Sequence, residues 1–166
     1  MNPKTPYETL TFYLMAAATF LLDQLTKLGI VAALALGHSQ PLVDGVLNLT
    51  YVQNTGAAFS LFAGHPEKLG LFAVLVVVGV MIYQRRTQPK ELIVVLAMGL
   101  FIGGALGNAV DRLMLGYVRD MFDLQWQGQN FFPIFNVADI AVNLAAGLFL
   151  LHTFLTERKH QNQASA

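Results

Sequence analysis

The sequence predicts an all-α integral membrane protein, in which four transmembrane helices carry a small β-sheet on the extracytoplasmic side. Of its 166 residues, 55% are hydrophobic and only 12% are charged, about half the charged fraction of a typical soluble domain. The apolar residues are concentrated in four stretches. A transmembrane helix needs roughly 20 consecutive residues that are mostly apolar. A soluble bundle would need helices with polar outer faces, and the stretch "LGLFAVLVVVGVMIY" (69–83) has none.

The four helices are expected within a single membrane domain that covers residues 1–166. Their approximate bounds are 10–28, 68–84, 91–113 and 134–156. Orientation follows from Lys and Arg, which are in excess in cytoplasmic loops. The link between the second and third helices and the C-terminal tail together contain Arg85, Arg86, Lys90, Arg158 and Lys159. We therefore expect both termini in the cytoplasm and the segments 37–66 and 114–133 outside.

Both outer segments contain a run that alternates between apolar and polar residues, which predicts a short strand in each. The runs are 46–53 and 120–127. In the second run, Phe122, Leu124 and Trp126 would form one face, and Asp123 would point to solvent on the other. The last residues of the chain, 160–166, are expected to be disordered.

Polar side chains interrupt or border three of the apolar stretches, and such residues mostly face the interior of a membrane bundle. Three carboxylates lie at about the same depth in the outer leaflet. Asp111 ends the third helix, Asp120 begins the outer strand, and Asp139 lies roughly 9 Å into the fourth helix at 1.5 Å per residue. Asn136, Asp139 and Asn143 share one helical face, because they are spaced at i, i+3 and i+7.

Two carboxylates that face each other in a dry site cannot both ionise, so they share one proton. One can then activate water while the other polarises a carbonyl, as in aspartic proteases. Asp139 has no basic neighbour within four residues, which favours such a paired role. For Asp120 the spacing alone leaves a catalytic and a structural role equally open.

Other charged residues fit structural ion pairs. Asp23 and Lys27 are four residues apart on one helix, in the favourable order. Arg112 and Arg119 adjoin Asp111 and Asp120 and are expected to pair with them.

The third helix also carries glycines at every fourth position (99, 103 and 107), which predicts close approach to a neighbouring helix.

Five blocks of the sequence, in order, resemble the lipoprotein signal peptidases, the signal peptidase II family of bacteria. The blocks are "DQLTK" (23–27), "NTGAAFS" (54–60), "GGALGNAVDR" (103–112), "VRD" (118–120) and "FNVADIAVN" (135–143). The resemblance implies an intramembrane aspartic protease of the bacterial inner membrane, with its active site near the extracytoplasmic face and no cofactor. It implies a prolipoprotein substrate, cut before a cysteine that carries diacylglycerol, and membrane lipids as surroundings.

By motif position, the resemblance implies Asp120 and Asp139 as the catalytic dyad. The positions that it implies for shaping the site and holding substrate are Asp23, Lys27, Asn54, Gly104, Asn108, Asp111, Arg112, Asn136 and Asn143. Arg119 stands where a small apolar residue is expected, which leaves Asp123 as a local substitute for Asp120. We expect no metal site, no nucleic-acid partner and a monomer.

Two other functions fit parts of the sequence. A Ser/Lys protease would use Ser60 with Lys27 or Lys68, and it requires a neutral lysine next to the serine. A proton-coupled transporter would use intramembrane carboxylates as a relay, but the cytoplasmic halves of the second and third helices contain no polar groups to continue it. Cysteine chemistry is excluded because the chain has no Cys.

Overall fold

The computed structural model describes residues 6–56 and 65–164 and confirms the predicted fold class. Its elements in chain order are α1 (Pro6–Ala33), β1 (Ser39–Val43), β2 (Leu47–Asn54), α2 (Pro66–Thr87), α3 (Leu92–Leu115), β3 (Val118–Trp126), β4 (Gln129–Asn130) and α4 (Val137–Ala164). All four helices are long and apolar enough to cross a membrane. They are therefore the elements that the apolar stretches of the sequence predicted.

Most helix ends lie beyond the bounds expected from hydropathy. The largest difference is at α4, which continues to Ala164, so the expectation of disorder was wrong for residues 160–164. Glu, Arg, Lys and Gln are good helix formers, and no Gly or Pro interrupts the tail of α4. Hydropathy marks where a helix leaves the lipid, whereas its backbone hydrogen bonds can continue into water.

The central helix of the bundle is α3, which packs against the other three helices. Twelve of its 24 residues are buried, whereas α2 buries three of 22. The close approach predicted from its glycines is confirmed. A Cβ atom at Gly103 would lie 2.5 Å from the carbonyl oxygen of Ala16 on α1, and one at Gly104 would lie 2.6 Å from that of Ala138 on α4.

The four strands form one antiparallel sheet in the order β1-β2-β3-β4. The sheet rests on the last turns of α1, where Ile30 packs against Tyr51 and Met121. A bulge between Leu49 and Val52 shifts the register of β2 on β3 and brings Val52 opposite Asp120. The same pairing brings the end of β2 beside the start of β3.

The predicted strands are confirmed, but the predicted solvent face of β3 was wrong. Asp123 is only 3% exposed, whereas Trp126 is 68% exposed. Alternation shows which residues share a face, and it does not show which face is buried. Here Arg119, Asp123 and Gln125 on the polar face of β3 are all buried, whereas Trp126 at the end of the other face is exposed.

Candidate active site

The candidate active site lies where β2, β3, α3 and the first turn of α4 meet. Asp120 comes from β3 and Asp139 from α4, and both carboxylates bind to Asn136. The Nδ2 of Asn136 donates to Asp120 Oδ1 at 2.6 Å, and its backbone N–H donates to Asp139 Oδ2 at 3.1 Å. One fully buried residue therefore connects the two carboxylates.

The local sequence "NVAD" (136–139) explains how Asp139 is oriented. Asn136 immediately precedes α4, and its Oδ1 accepts the backbone N–H of Asp139 at 2.9 Å. In return, the Asp139 carboxylate accepts the backbone N–H of Asn136. This reciprocal pair is a capping box at a helix N-terminus, so the carboxylate is fixed by the bonds that begin the helix.

Two further asparagines complete the hydrogen bonding of the dyad. Asn54, the last residue of β2, donates from Nδ2 to Asp120 Oδ2 at 3.0 Å. Asn108 on α3 donates from Nδ2 to Asp139 Oδ1 at 2.8 Å. Each of the four carboxylate oxygens therefore accepts an N–H, and none of these bonds comes from a cation.

The surroundings of Asp120 favour its protonated form. Burial of its side chain and then the charge of Asp139 raise the pKa of Asp120 to about 7, although the N–H groups of Asn54 and Asn136 oppose the rise. The residue is only 2% exposed, which explains why desolvation of the charged form outweighs two hydrogen bonds. Near neutral pH the pair can therefore hold one proton.

The positions of both arginines differ from the expected pairings. Arg119 pairs with Asp111 and not with Asp120, with its guanidinium 2.6 Å from Asp111 Oδ1. Adjacent residues of a strand point to opposite faces, so Arg119 points away from the Asp120 side chain. Asp111 pairs with Arg119 and with Lys27, and no ion pair between Asp111 and Arg112 occurs in the described structure.

Arg112 instead lines a cleft beside Asp139. The cleft, of about 260 Å³, lies between α2, α3 and α4 and is bordered by residues that include Phe72, Val76, Asn108, Arg112, Asp139 and Asn143. The guanidinium of Arg112 donates to the carbonyl oxygen of Gly56 at 3.4 Å, and its Nε has no partner among residues 6–56 and 65–164. This leaves a buried N–H donor of a cation next to the dyad.

An apolar cleft of about 390 Å³ adjoins the first one, since both are bordered by Phe101 and Val142. Asn143 is exposed on the wall of the first cleft and donates to the backbone oxygen of Asp139 at 2.9 Å. Together the clefts extend from Asp139 to Tyr83 between α2, α3 and α4.

The structure brings most of the predicted site residues into one connected set, and it separates Asp123 from them. Asp123 lies on the face of β3 opposite Asp120, where Thr50 donates to its Oδ2 at 3.0 Å. Its Oδ1 has no partner among the described residues. Ser60 lies outside the described residues. Within those residues, no group of three His, Asp or Glu side chains is arranged to hold a metal ion.

Two residues of the connected set were not predicted as site residues. Gln24 donates to the carbonyl oxygen of Gly107 at 3.2 Å and accepts from Arg119 at 2.9 Å. A signal for Arg119 was present in the sequence. Because neighbouring residues of a strand point to opposite faces, a cation next to Asp120 faces α1 and α3 when Asp120 faces α4. Gln24 adjoins Asp23, but nothing in its spacing indicates a contact with β3.

Comparison with known proteins gives concordant similarities. Residues 15–155 match the family model of signal peptidase (SPase) II. A lipoprotein signal peptidase of Geobacillus thermodenitrificans is 39% identical over 148 residues, which cover 89% of this chain and 92% of the relative. That of Gloeobacter violaceus is 41% identical over 159 residues, covering 96% and 88%. A solved structure of a bacterial membrane enzyme superposes with a TM-score of 0.80 at 28% identity, covering 87% of each chain.

Proposed function

Because this chain belongs to the signal peptidase II family, we propose that it is an aspartic endopeptidase that cuts prolipoproteins immediately before a cysteine carrying diacylglycerol. The observation that carries the proposal is that Asn136 donates hydrogen bonds to both Asp120 and Asp139, and the raised pKa of Asp120 supports its role as the acid. An acid and a base side by side are what water-mediated peptide hydrolysis requires.

The reaction follows from the proton positions. Ionised Asp139 takes a proton from a water molecule while the water oxygen attacks the scissile carbonyl carbon, and Asp120 gives its proton to the carbonyl oxygen. The tetrahedral intermediate then collapses when the amide nitrogen takes a proton from Asp139 and the C–N bond breaks. The proton from one hydroxyl of the intermediate returns to Asp120, so the pair ends with one proton, as it began.

The clefts beside the dyad suit a substrate that arrives from the bilayer. Arg112 borders the first cleft together with Asp139, and a guanidinium at this position can bind a carbonyl oxygen of the substrate peptide. The second cleft is apolar and suits hydrocarbon. The clefts could therefore receive acyl chain of the lipid on the substrate cysteine.

We assign the protein to the bacterial inner membrane with both termini cytoplasmic. The basic residues Arg85, Arg86 and Lys90 adjoin the end of α2 and the start of α3, and Arg158 and Lys159 lie near the end of α4. The ends of these helices that adjoin the sheet lack such a cluster. The excess of Lys and Arg on one side favours that side as cytoplasmic, which leaves the dyad near the extracytoplasmic surface.

The contacts of Lys27 argue against the Ser/Lys alternative. Its Nζ forms ion pairs with Asp23 at 2.8 Å and with Asp111 at 3.3 Å. A nucleophilic serine needs a lysine that is neutral. The transport alternative would leave the capping box and its bonds to Asp120 without a role.

The proposal is tested with purified protein in detergent and a diacylglyceryl-modified prolipoprotein, with cleavage followed by gel shift. The variants are Asp120→Asn and Asp139→Asn, with Asp123→Asn as the matched control on the same strand. We expect cleavage by the native protein and by Asp123→Asn, and a loss of at least 10³-fold in the dyad variants. Full cleavage by either dyad variant would refute the aspartic mechanism. Equal cleavage of a precursor without the lipid would refute the assigned substrate.

A further inference from the structure

A second pair of carboxylates lies behind the dyad and is bridged by one lysine. Asp23, Lys27 and Asp111 are all fully buried. The Nζ of Lys27 lies 2.8 Å from Asp23 Oδ2 and 3.3 Å from Asp111 Oδ2, and it donates to Asn108 Oδ1 at 2.9 Å. An ammonium has three N–H donors, so these three partners use all of them.

Each of these two carboxylates also binds the backbone next to one member of the dyad. Asp23 Oδ1 accepts the backbone N–H of Ala138 at 2.9 Å, and Ala138 directly precedes Asp139. Asp111 Oδ2 accepts the backbone N–H of Arg119 at 3.0 Å, and Arg119 directly precedes Asp120. The first turn of α4 is thus attached to α1, and the start of β3 to α3.

We propose that Asp23, Lys27 and Asp111 form a clamp that fixes the separation of the Asp120 and Asp139 carboxylates. They are then positioning residues for the reaction, because they act through the backbone beside the dyad and not on the substrate. The inference rests on the proposed function, since the separation matters only when the two carboxylates share a proton.

The surroundings of the clamp hold it in a single geometry. Arg119 binds Asp111 through Nε at 3.2 Å and through its terminal nitrogen at 2.6 Å. The buried cluster therefore contains two acids and two bases, which leaves no uncompensated charge. A Cβ atom at Gly107 would collide with the carboxylate of Asp23, so α3 needs a glycine where α1 inserts this side chain.

A fixed separation has a consequence for the pH dependence of the reaction. Coulombic coupling between two carboxylates falls with distance, and strong coupling separates the two pKa values of the pair. Those values bound the bell-shaped profile of kcat against pH. If the clamp were loosened, the two carboxylates could move apart and their two pKa values would become more similar. The pH range in which kcat is high would then narrow.

Few other charges act on the dyad. The charged side chains of the elements packed around it are Asp23 and Lys27 on α1, Asp111 and Arg112 on α3, and Arg119 on β3, while β2 presents the neutral Asn54. Among these, Arg112 and Arg119 lie outside the clamp and remain in every variant below. A change in the width of the bell would therefore report the clamp.

The test compares kcat, KM and the pH profile of Asp23→Leu with the native protein, per mole of protein that elutes as a single folded species. We expect kcat to fall by about tenfold or more with KM within about twofold, and the bell to narrow by about one pH unit. The control is Thr26→Val, whose hydroxyl, among the residues that the structure describes, bonds only to the backbone of its own helix. It should leave all three unchanged. If folded Asp23→Leu has the kcat of the native protein and a pH profile of the same width, the proposed clamp is refuted.

A double variant covers the case in which Asp23→Leu does not fold. Asp23→Asn with Lys27→Met keeps an acceptor for the N–H of Ala138 and leaves Asp111 neutralised by Arg119. It removes the ammonium that bridges positions 23 and 111. Its bell must narrow, and a bell of native width would reject the proposal. An inactive native protein would instead refute the proposed function, so the two failures are distinguishable.

Discussion

Replacing Asp120 by Asn is expected to make the folded protein more stable above neutral pH while it abolishes cleavage. Burial and the charge of Asp139 raise the pKa of Asp120 from its ordinary value of 3.8 to about 7. The folded state then binds this proton more tightly than the unfolded state does. The resulting stabilisation is fully present below pH 3.8 and is lost as the pH rises through about 7.

The size of the effect follows from the difference between the ordinary and the raised pKa of Asp120. The difference is roughly three pH units, and each unit corresponds to about 1.4 kcal/mol. Ionising Asp120 in the folded protein therefore costs up to about 4 kcal/mol. Asn cannot ionise and avoids this cost. The NH2 group of the new Asn, however, faces the N–H donor of either Asn54 or Asn136. Two donors cannot bond to each other, and this contact costs about 1–3 kcal/mol of stability. The variant should therefore be less stable than the native protein at pH 5 and more stable at pH 8.5.

The assay is thermal unfolding in detergent at both pH values. Of the three pH units, about two lie above pH 5, so the stability difference changes by about 3 kcal/mol between the two conditions. This corresponds to a relative shift in Tm of roughly 8 °C for a chain of this size. Asp123→Asn serves as the control for removing a buried carboxylate on the same strand. A Tm difference between native protein and Asp120→Asn that stays constant from pH 5 to 8.5 would show that Asp120 does not titrate near 7, and the shared proton would be refuted.

Two further substitutions test the hydrogen bonds and the packing of the site. Asn54→Ala removes a donor that favours ionised Asp120, so the pKa of Asp120 should rise and the alkaline limb of kcat/KM should move up by about one pH unit; a limb at the native pH would contradict this bond. Gly104→Ala places a Cβ atom 2.6 Å from the carbonyl oxygen of Ala138, and we expect unfolding in detergent to become easier by about 1–3 kcal/mol. Gly147→Ala, with nothing within 4 Å of the added atom, should be neutral or stabilising, and equal effects of the two would refute the close contact.

Local patterns in the sequence predicted the four helices and the two longer strands, and a local pattern also orients Asp139. Four apolar stretches predicted four helices, because the length needed to cross a bilayer is a local property of the chain. The block around Asp139 forms its capping box from residues three positions apart. Its carboxylate is therefore oriented by bonds within the segment that carries it.

Asp120 depended on more distant parts of the chain. Its partners Asn54 and Asn136 are 66 and 16 residues away, and the sequence spacing left its role open. The raised pKa of Asp120 comes from burial and from Asp139, and neither is visible in the neighbourhood of a single residue. The family resemblance supplied the assignment that spacing could not.

The sequence by itself determined the membrane class, the helix count, the two main strands and the orientation of Asp139, since each depends on residues close together in the chain. Only the tertiary structure decided what covers each face of β3. That packing buried Asp123 beside Thr50 and directed Arg119 to Asp111. The structure also placed Lys27 on Asn108, 81 residues away. Such contacts depend on which helix the sheet rests on, and alternation or hydropathy within one segment carries no information about that.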